Sequence, residues 1–284
     1  MAVVGSIAFS GKAIIVKLGY RYGVDAVTLL MYRMLFALPL FAAMAWWASR
    51  GNEPLTRKDW LGILGLGFCG YYLSSMLDFL GLQYISASLE RLILYLNPTI
   101  VLILGMLLFK RKITRTQLLA MGLSYSGVLL VFGHEVKFDG SGTALGAALV
   151  FASAVSYAVY LVYSGEMVKR LGSLRLVGLA TTVACLLCIV QFLLMKPISA
   201  AAVAPQVIWL SVLNATLCTA VPVVLVMMAI ERIGAGLAAQ TGMIGPMSTI
   251  AMGVIFLGET LNLWIVAGTT LVLLGVYWVS RSKA

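Results

Sequence analysis

The chain has 284 residues, of which 62% are hydrophobic and only 11% charged. A soluble domain carries about 25% charged residues on average, so lipid rather than water is the expected outer solvent. The net charge of +10 comes without an aromatic-rich basic patch or a soluble binding module, which argues against nucleic acid as a partner.

Ten apolar stretches fill the chain, near residues 2–20, 25–48, 59–83, 87–109, 115–133, 141–163, 174–195, 206–230, 235–257 and 262–280. The hydrocarbon core of a bilayer is about 30 Å thick and takes roughly 20 apolar residues of helix to cross. The runs are continuous rather than alternating, which selects helices over barrel strands. A helix also satisfies its own backbone groups in lipid. The loops are short and leave no room for a soluble domain. Lys12 interrupts the first stretch, which lacks a basic start and a small-residue cleavage site, so it reads as a span and not as a signal peptide.

In chain order, the first stretch carries Lys12 near mid-membrane, and the second carries Arg33 about 8 residues in, roughly 12 Å deep. The third carries Tyr71, Ser75 and Asp78, and the fourth Glu90, Arg91, Tyr95 and Pro98. Intramembrane ionisable groups are costly and face a bundle interior or water. Asp78 therefore pairs with Lys12 or Arg91, contacts a substrate amine, carries a proton, or serves as a structural ion pair. Arg33, Glu90 and Arg91 lie close enough to an interface to snorkel, whereas Lys12 is deep enough to line a cavity. The sixth stretch places Ser153, Ser156, Tyr157, Tyr160, Tyr163 and Ser164 at spacings of three and four, on one helix face. That face reads either as a cavity wall suited to an aromatic or amphiphilic solute or as a set of interhelical hydrogen bonds. Asn214 in the eighth stretch and Gln240, Thr241 and Ser248 in the ninth add mild polarity. Such a lining disfavours highly charged substrates, which need several cationic ligands.

Other local signals fall away. Gly65–Gly70 fits a dinucleotide-binding glycine pattern but no strand precedes it, so close helix packing explains it better. Cys185 and Cys188, with Cys69 and Cys218, lie in apolar helices and form no disulfide or zinc pattern. Asn214-Ala215-Thr216 matches a glycosylation site but sits inside a span, and His134 falls in a loop. No cofactor, metal site or nucleophile–base pair is expected.

If the N-terminus is cytoplasmic, 13 of the 20 Lys and Arg residues face the cytoplasm. Four (Lys17, Arg21, Lys137 and Lys196) lie outside, and Lys12, Arg33 and Arg91 lie within helices. This bias sets both termini inside. The chain also matches itself at an offset of 148: Ala87 with Ala235, Leu89 with Leu237, Pro98 with Pro246, Gly105 with Gly253, and Gly127 with Gly275. The half-unit then holds five helices. Five is odd, so the second copy inserts upside down, as in many transporters. The expected fold is an all-α polytopic membrane protein, with two inverted five-helix repeats, 1–139 and 140–284, around a central cavity. Pro98 and Pro246 each interrupt a helix and are candidate hinges, or else static kinks.

Five-plus-five helices, the matched prolines and Phe256-Leu257-Gly258-Glu259-Thr260 resemble the drug/metabolite transporter superfamily. Within it the pattern is similar to the EamA-like ten-helix branch, and to bacterial exporters of aromatic amino acids of the YddG type. The family usually carries an acidic residue after the fourth helix as well; here that place is Arg111. The resemblance implies transport of a small solute through a central cavity in a bacterial inner (plasma) membrane. The reading is a secondary exporter of amphiphilic solutes, with neutral or aromatic amino acids as the resemblance-based guess. A broad-specificity drug exporter is the close alternative, and a lipid-modifying membrane enzyme a distant one, lacking a clustered catalytic set. The candidate cavity residues are Lys12, Tyr71, Ser75, Asp78, Tyr95, Ser153, Tyr157, Tyr160, Asn214, Gln240 and Thr241. The expected partners are the small-molecule substrate and the lipid bilayer, with the oligomeric state open.

Overall fold

The computed structural model describes residues 2–109, 114–139, 141–225, 228 and 244–281. The described residues are helical apart from their connections. The helices are α1 (Ala2–Tyr20), α2 (Ala26–Ser49), α3 (Arg57–Gly81), α4 (Ala87–Leu108), α5 (Arg115–Asp139), α6 (Ser141–Leu171), α7 (Ser173–Met195), α8 (Pro205–Leu225), α9 (Ile244–Met252, prolonged by a wide turn at Gly253–Leu257) and α10 (Leu263–Arg281). Eight are long and apolar enough to cross a bilayer, and α9 and α10 contain shorter apolar segments among the described residues. The protein is an integral membrane protein.

Two sets of contacts define the ends of the bundle. At the first end, Tyr20 Oη donates to Phe79 O at 2.5 Å, Arg21 Nη2 donates to Leu257 O at 2.7 Å, and Lys196 Nζ lies 3.3 Å from Asp25 Oδ2. At the second, Arg170 pairs with Asp59, and Arg175 donates to Ser49 Oγ at 3.2 Å and to Glu53 O at 2.9 Å. Asp59 is also half of a capping box with Thr56, which starts α3.

The core is interleaved. One buried cluster draws Ala13, Phe41, Phe79, Cys185 and Ala215 from α1, α2, α3, α7 and α8. Another draws Leu92, Val128, Ala154, Ile250 and Val272 from α4, α5, α6, α9 and α10. The longest contacts are α2 along α7 and α5 along α10. In lipid no hydrophobic drive brings helices together, so small residues and close van der Waals packing carry the association. A Cβ on Gly178 would lie 2.8 Å from Ala45 N, and one on Gly127 2.5 Å from Gly268 O. The Gly65–Gly70 run is helical and packs as expected: a Cβ on Gly67 would meet Ala180 O at 2.6 Å.

Several expectations change in detail. α4 is interrupted at Tyr95–Leu96, so Pro98 is not mid-helix; it stands in the first turn of the resumed segment Asn97–Phe109. Proline lacks the N–H that would bond the carbonyl of residue 94. Asn97 Nδ2 supplies that bond instead, donating to Leu94 O at 2.9 Å. Pro39, by contrast, leaves α2 continuous. Pro246 lies in the first described turn of α9; its side chain and the residues before the helix lie outside the described residues. α6 runs on to Leu171, with Lys169 and Arg170 in its last turn matching the helix dipole, before Gly172 at φ +78° ends it. His134 lies within α5, stacked on Trp264, because that helix continues past Gly133.

Candidate functional site

α3 is the spine of the site. Tyr71, Ser75 and Asp78 fall at i, i+4 and i+7, on one helix face. The stripe is about 10 Å long at 1.5 Å rise per residue. A wide-turn segment, Phe68–Leu73, lies at the Tyr71 end, and such bulges re-aim side chains and recur at functional sites.

At one end of the stripe is a charged cluster. Lys12 Nζ lies 2.5 Å from Asp78 Oδ2 and 3.5 Å from Glu90 Oε1. Lys12 is 7% exposed, Asp78 2% and Glu90 0%, so the cluster is closed from solvent. Arg33 and Arg91 flank it and are also buried. This corrects the snorkelling expectation for Arg33, Glu90 and Arg91: neighbouring helices cover them. Arg33 Nε donates to Thr219 Oγ1 of α8 at 3.2 Å. Arg91 Nε donates to Thr249 Oγ1 of α9 at 3.0 Å and its Nη2 to Phe9 O at 3.3 Å. Ser10 Oγ joins this knot through Gly245 O at 2.9 Å. The charges all come from the first half of the chain, and hydroxyl groups of α8 and α9 receive them.

At the other end are three tyrosines. Tyr71 and Tyr160 have hydroxyls 3.3 Å apart, with ring centroids at 5.1 Å and an edge-on angle of 67°. Tyr157 stacks on Tyr160 at 5.5 Å and meets Tyr71 edge-on at 6.5 Å. Ser75 lies between the two clusters, with Arg33 Nη1 at 3.5 Å.

The remaining sequence candidates divide. Ser153 Oγ donates to Ser74 O and Ser156 Oγ to Cys69 O, both at 2.7 Å, so the serines of α6 tie it to α3 while its tyrosines form the ring cluster. Tyr163 is half exposed. Tyr95 stands at the break in α4, with its hydroxyl beside Gly245. Asn214 is buried just before the wide-turn segment Thr216–Ala220 of α8, where its backbone carbonyl accepts from Thr219 Oγ1 at 2.8 Å. Gln240 and Thr241 lie outside the described residues.

Sequence reasoning missed the part played by Glu259. Gly258 adopts φ +74°, the left-handed conformation that ends a helix and favours glycine. The chain then turns the Glu259 carboxylate onto the start of α4. Its Oε1 accepts from Ala87 N at 2.7 Å, and its Oε2 from Ser88 Oγ at 2.6 Å and Ser88 N at 3.3 Å. The first free N–H groups of a helix carry partial positive charge, and a carboxylate there is stabilising. The signal was present in Leu257-Gly258-Glu259, but which helix receives the carboxylate is a tertiary fact. Glu259→Ala is expected to lower stability by about 1–2 kcal/mol, and Glu259→Gln by less, since an amide oxygen still accepts one bond. Thermal unfolding in detergent checks this; an unchanged midpoint for the alanine variant contradicts the clamp.

Close to this clamp, a depression of about 670 Å³ is lined by Lys17, Tyr20, Asp25, Gln83, Leu257 and Glu259, among others. Asp25 caps α2 through Val27 N and Thr28 N. Partial burial pushes its carboxyl up, but hydrogen bonds from Thr28 and the Lys196 ammonium outweigh that and hold it below its ordinary value.

Among known proteins, the sequence model of the EamA-like transporter family matches residues 1–133 and again 144–281. The chain is 32% identical over 276 residues to the uncharacterized transporter YcbK of Bacillus subtilis, covering 94% of this chain and 87% of that one. An uncharacterized transporter of Archaeoglobus fulgidus is 28% identical over 163 residues, 57% of this chain and 55% of that one. A crystal structure superposes with a TM-score of 0.64 at 16% identity, covering 98% of this chain and 94% of that one, a likeness of fold alone.

Proposed function

The chain belongs to the EamA-like transporter family, and from that premise we propose that it is a secondary exporter of small amphiphilic solutes, neutral or aromatic amino acids foremost, working by alternating access. The observation that carries the substrate class is the α3 stripe. Ionic groups gather at Asp78 and tyrosine rings at Tyr71, about 10 Å apart along one face. A solute with an ammonium, a carboxylate and an apolar ring presents complementary groups in that order. The rings supply apolar area and stacking, and the buried charges supply orientation.

Two five-helix units, 1–139 and 140–284, inserted in opposite senses with both termini cytoplasmic, account for the pairing of helices. The wide turn at Phe68–Leu73 in α3 recurs in α8 at Thr216–Ala220, starting at the 148 offset. Gly127 packs on Gly268, and Gly275 packs on Ala120; the same offset exchanges these two contacts. It also carries Lys12 onto Tyr160 and Phe9 onto Tyr157. One scaffold thus bears charge in one copy and aromatic hydroxyls in the other. On this reading the end closed by Glu259 faces outward, the cavity lies between the units, and Tyr95–Pro98 and Pro246 are the hinges.

The test is flux into proteoliposomes with radiolabelled amino acids. Saturable flux of phenylalanine, tyrosine or tryptophan is expected, and Tyr157→Ala is expected to raise KM for these about two- to tenfold while changing that for alanine less. Saturable flux of lipophilic cationic drugs, with none for any neutral amino acid, would favour the drug-exporter reading instead.

A further inference from the structure

We propose that the start of α3 is a binding site for one anionic phospholipid. Arg57, Lys58 and Arg170 hold its phosphodiester, and its chains lie along the exposed face of α3. The inference uses only the fact that the chain is embedded in a bilayer, so it stands or falls apart from the transport reading.

The charge at this helix end is unbalanced. Arg57 and Lys58 are the first two residues of α3. They stand at the positive pole of the helix, where acidic groups are stabilising and cations are not. Both are exposed, and neither pairs with a carboxylate among the described residues. Arg170 of α6 adds a third cation. Its Nη2 meets Asp59 Oδ2 and lies 3.3 Å from Thr56 Oγ1, while its side chain stays 56% exposed. Asp59 is the one acid in that first turn. It is buried, and Thr56 N and Thr56 Oγ1 both donate to its Oδ2 at 2.7 Å, so it completes the cap and leaves Arg57 and Lys58 unmet. Glu53, exposed in the preceding loop, pairs with neither of them. The start of α4 differs: there the protein supplies the Glu259 carboxylate itself.

The surface below the cations selects a lipid over a free anion. Arg57, Trp60, Leu61, Leu64 and Phe68 fall within about 100° of arc on one helix face. The four apolar residues of that face are 45–62% exposed. From Arg57 to Phe68 the rise is about 16 Å, the depth of one leaflet in a hydrocarbon core about 30 Å thick. Tryptophan rings settle at headgroup level. Trp60 therefore sets Arg57, about 4.5 Å further out, at the depth of the phosphates. The loop before α3 is fixed at both ends. Arg175 donates to Ser49 Oγ and Glu53 O, and Arg170 to Thr56 Oγ1. Guanidinium groups match phosphate geometry, so a lipid phosphate finds a preformed cradle and ties α3 to α6.

Native mass spectrometry of the full-length protein in detergent, titrated with dioleoyl phosphatidylglycerol or dioleoyl phosphatidylcholine, tests this. Phosphatidylglycerol is expected to bind at least about tenfold more tightly. A basic residue beside anionic lipid is worth about fivefold in affinity, so Arg57→Gln and Lys58→Gln are each expected to weaken binding about fivefold and together about thirtyfold. Arg115→Gln is the control. Arg115 is exposed and opens α5 at the same end of the bundle, and its loss is expected to change affinity by less than about twofold. Thermal unfolding gives an independent reading. Phosphatidylglycerol is expected to raise the midpoint of the wild type and not that of the double variant. Without added lipid the two midpoints are expected to agree, since both substituted side chains are exposed. Glycerol phosphate carries the charge without the chains and is expected to have neither effect. Equal binding of the two lipids, equal losses at Arg115 and Arg57, or equal protection by glycerol phosphate overturns the proposal.

Discussion

Lys12→Met is expected to destabilise the folded protein by about 3–5 kcal/mol, the cost of leaving one member of a buried ion pair without its partner. The side chain is about the right size, so packing changes little and the loss is electrostatic. Lys12 Nζ is the cation held against Asp78 Oδ2, and both groups are shut away from water. Removing the charge leaves a carboxylate that solvent does not reach and that no other ammonium among the described residues pairs with. Replacing the whole set is expected to cost much less: Lys12→Met combined with Asp78→Asn and Glu90→Gln removes the charges together, and such replacements are often neutral. Unfolding followed by circular dichroism in detergent reads both. A single variant as stable as the wild type would mean that the ammonium does not hold the carboxylates in place. The charged cluster also joins α1, α3 and α4, so the single variant is expected to reduce transport along with stability.

The second large effect is steric. Gly127→Val would push a Cβ to 2.5 Å from Gly268 O and 2.9 Å from a methyl of Val272. Gly275→Val would push one to 2.2 Å from Ser124 Oγ and 2.5 Å from Ala120 O. Backbone stands on the far side of each contact, so α5 and α10 must separate. Overpacking of this kind costs about 1–3 kcal/mol. An offset of 148 residues exchanges the positions of the two contacts, so the two variants are expected to have similar midpoints. The double variant should lose less than the sum, because helices already parted by one valine accommodate the other. Gly122, on α5 as well, has open space where its Cβ would be. Gly122→Val is therefore the control, expected to stay within about 0.5 kcal/mol of the wild type. Equal losses at Gly122 and Gly127 would mean that the cost comes from valine in a helix and not from the seam.

Much of the architecture was legible because the bilayer imposes it. Apolar runs of the right length mark helices, and all ten runs contain helix in the structure. The glycines at 127 and 275 were visible as repeat partners. Their meeting across one seam was not, since sequence identity at an offset does not reveal which helices touch. Depth along a helix was legible too, and Lys12, Arg33, Asp78, Glu90 and Arg91 all lie at buried positions. Depth does not distinguish lipid from neighbouring helix, and so Arg33, Glu90 and Arg91 read as snorkelling groups when they are enclosed. The serines and tyrosines of α6 looked like one polar stripe. The structure separates them, because a serine hydroxyl can bond a neighbouring backbone at 2.7 Å whereas a tyrosine ring needs a space of its own.

By itself the sequence determined that this protein lives in lipid, that its units are helices and where nearly every helix lies. Those properties depend on local composition and on spacing along one segment, which a single chain records directly. The tertiary structure alone decided that Asp78 takes Lys12 and not Arg91 as its ion-pair partner, that Glu259 clamps the start of α4 from 172 residues away, and that the two largest hydrophobic clusters mix helices from the first and second halves of the chain. Such pairings arise from close approach between segments distant in sequence. They are chosen by mutual fit and by the need to satisfy buried charge, for which no single segment carries a code.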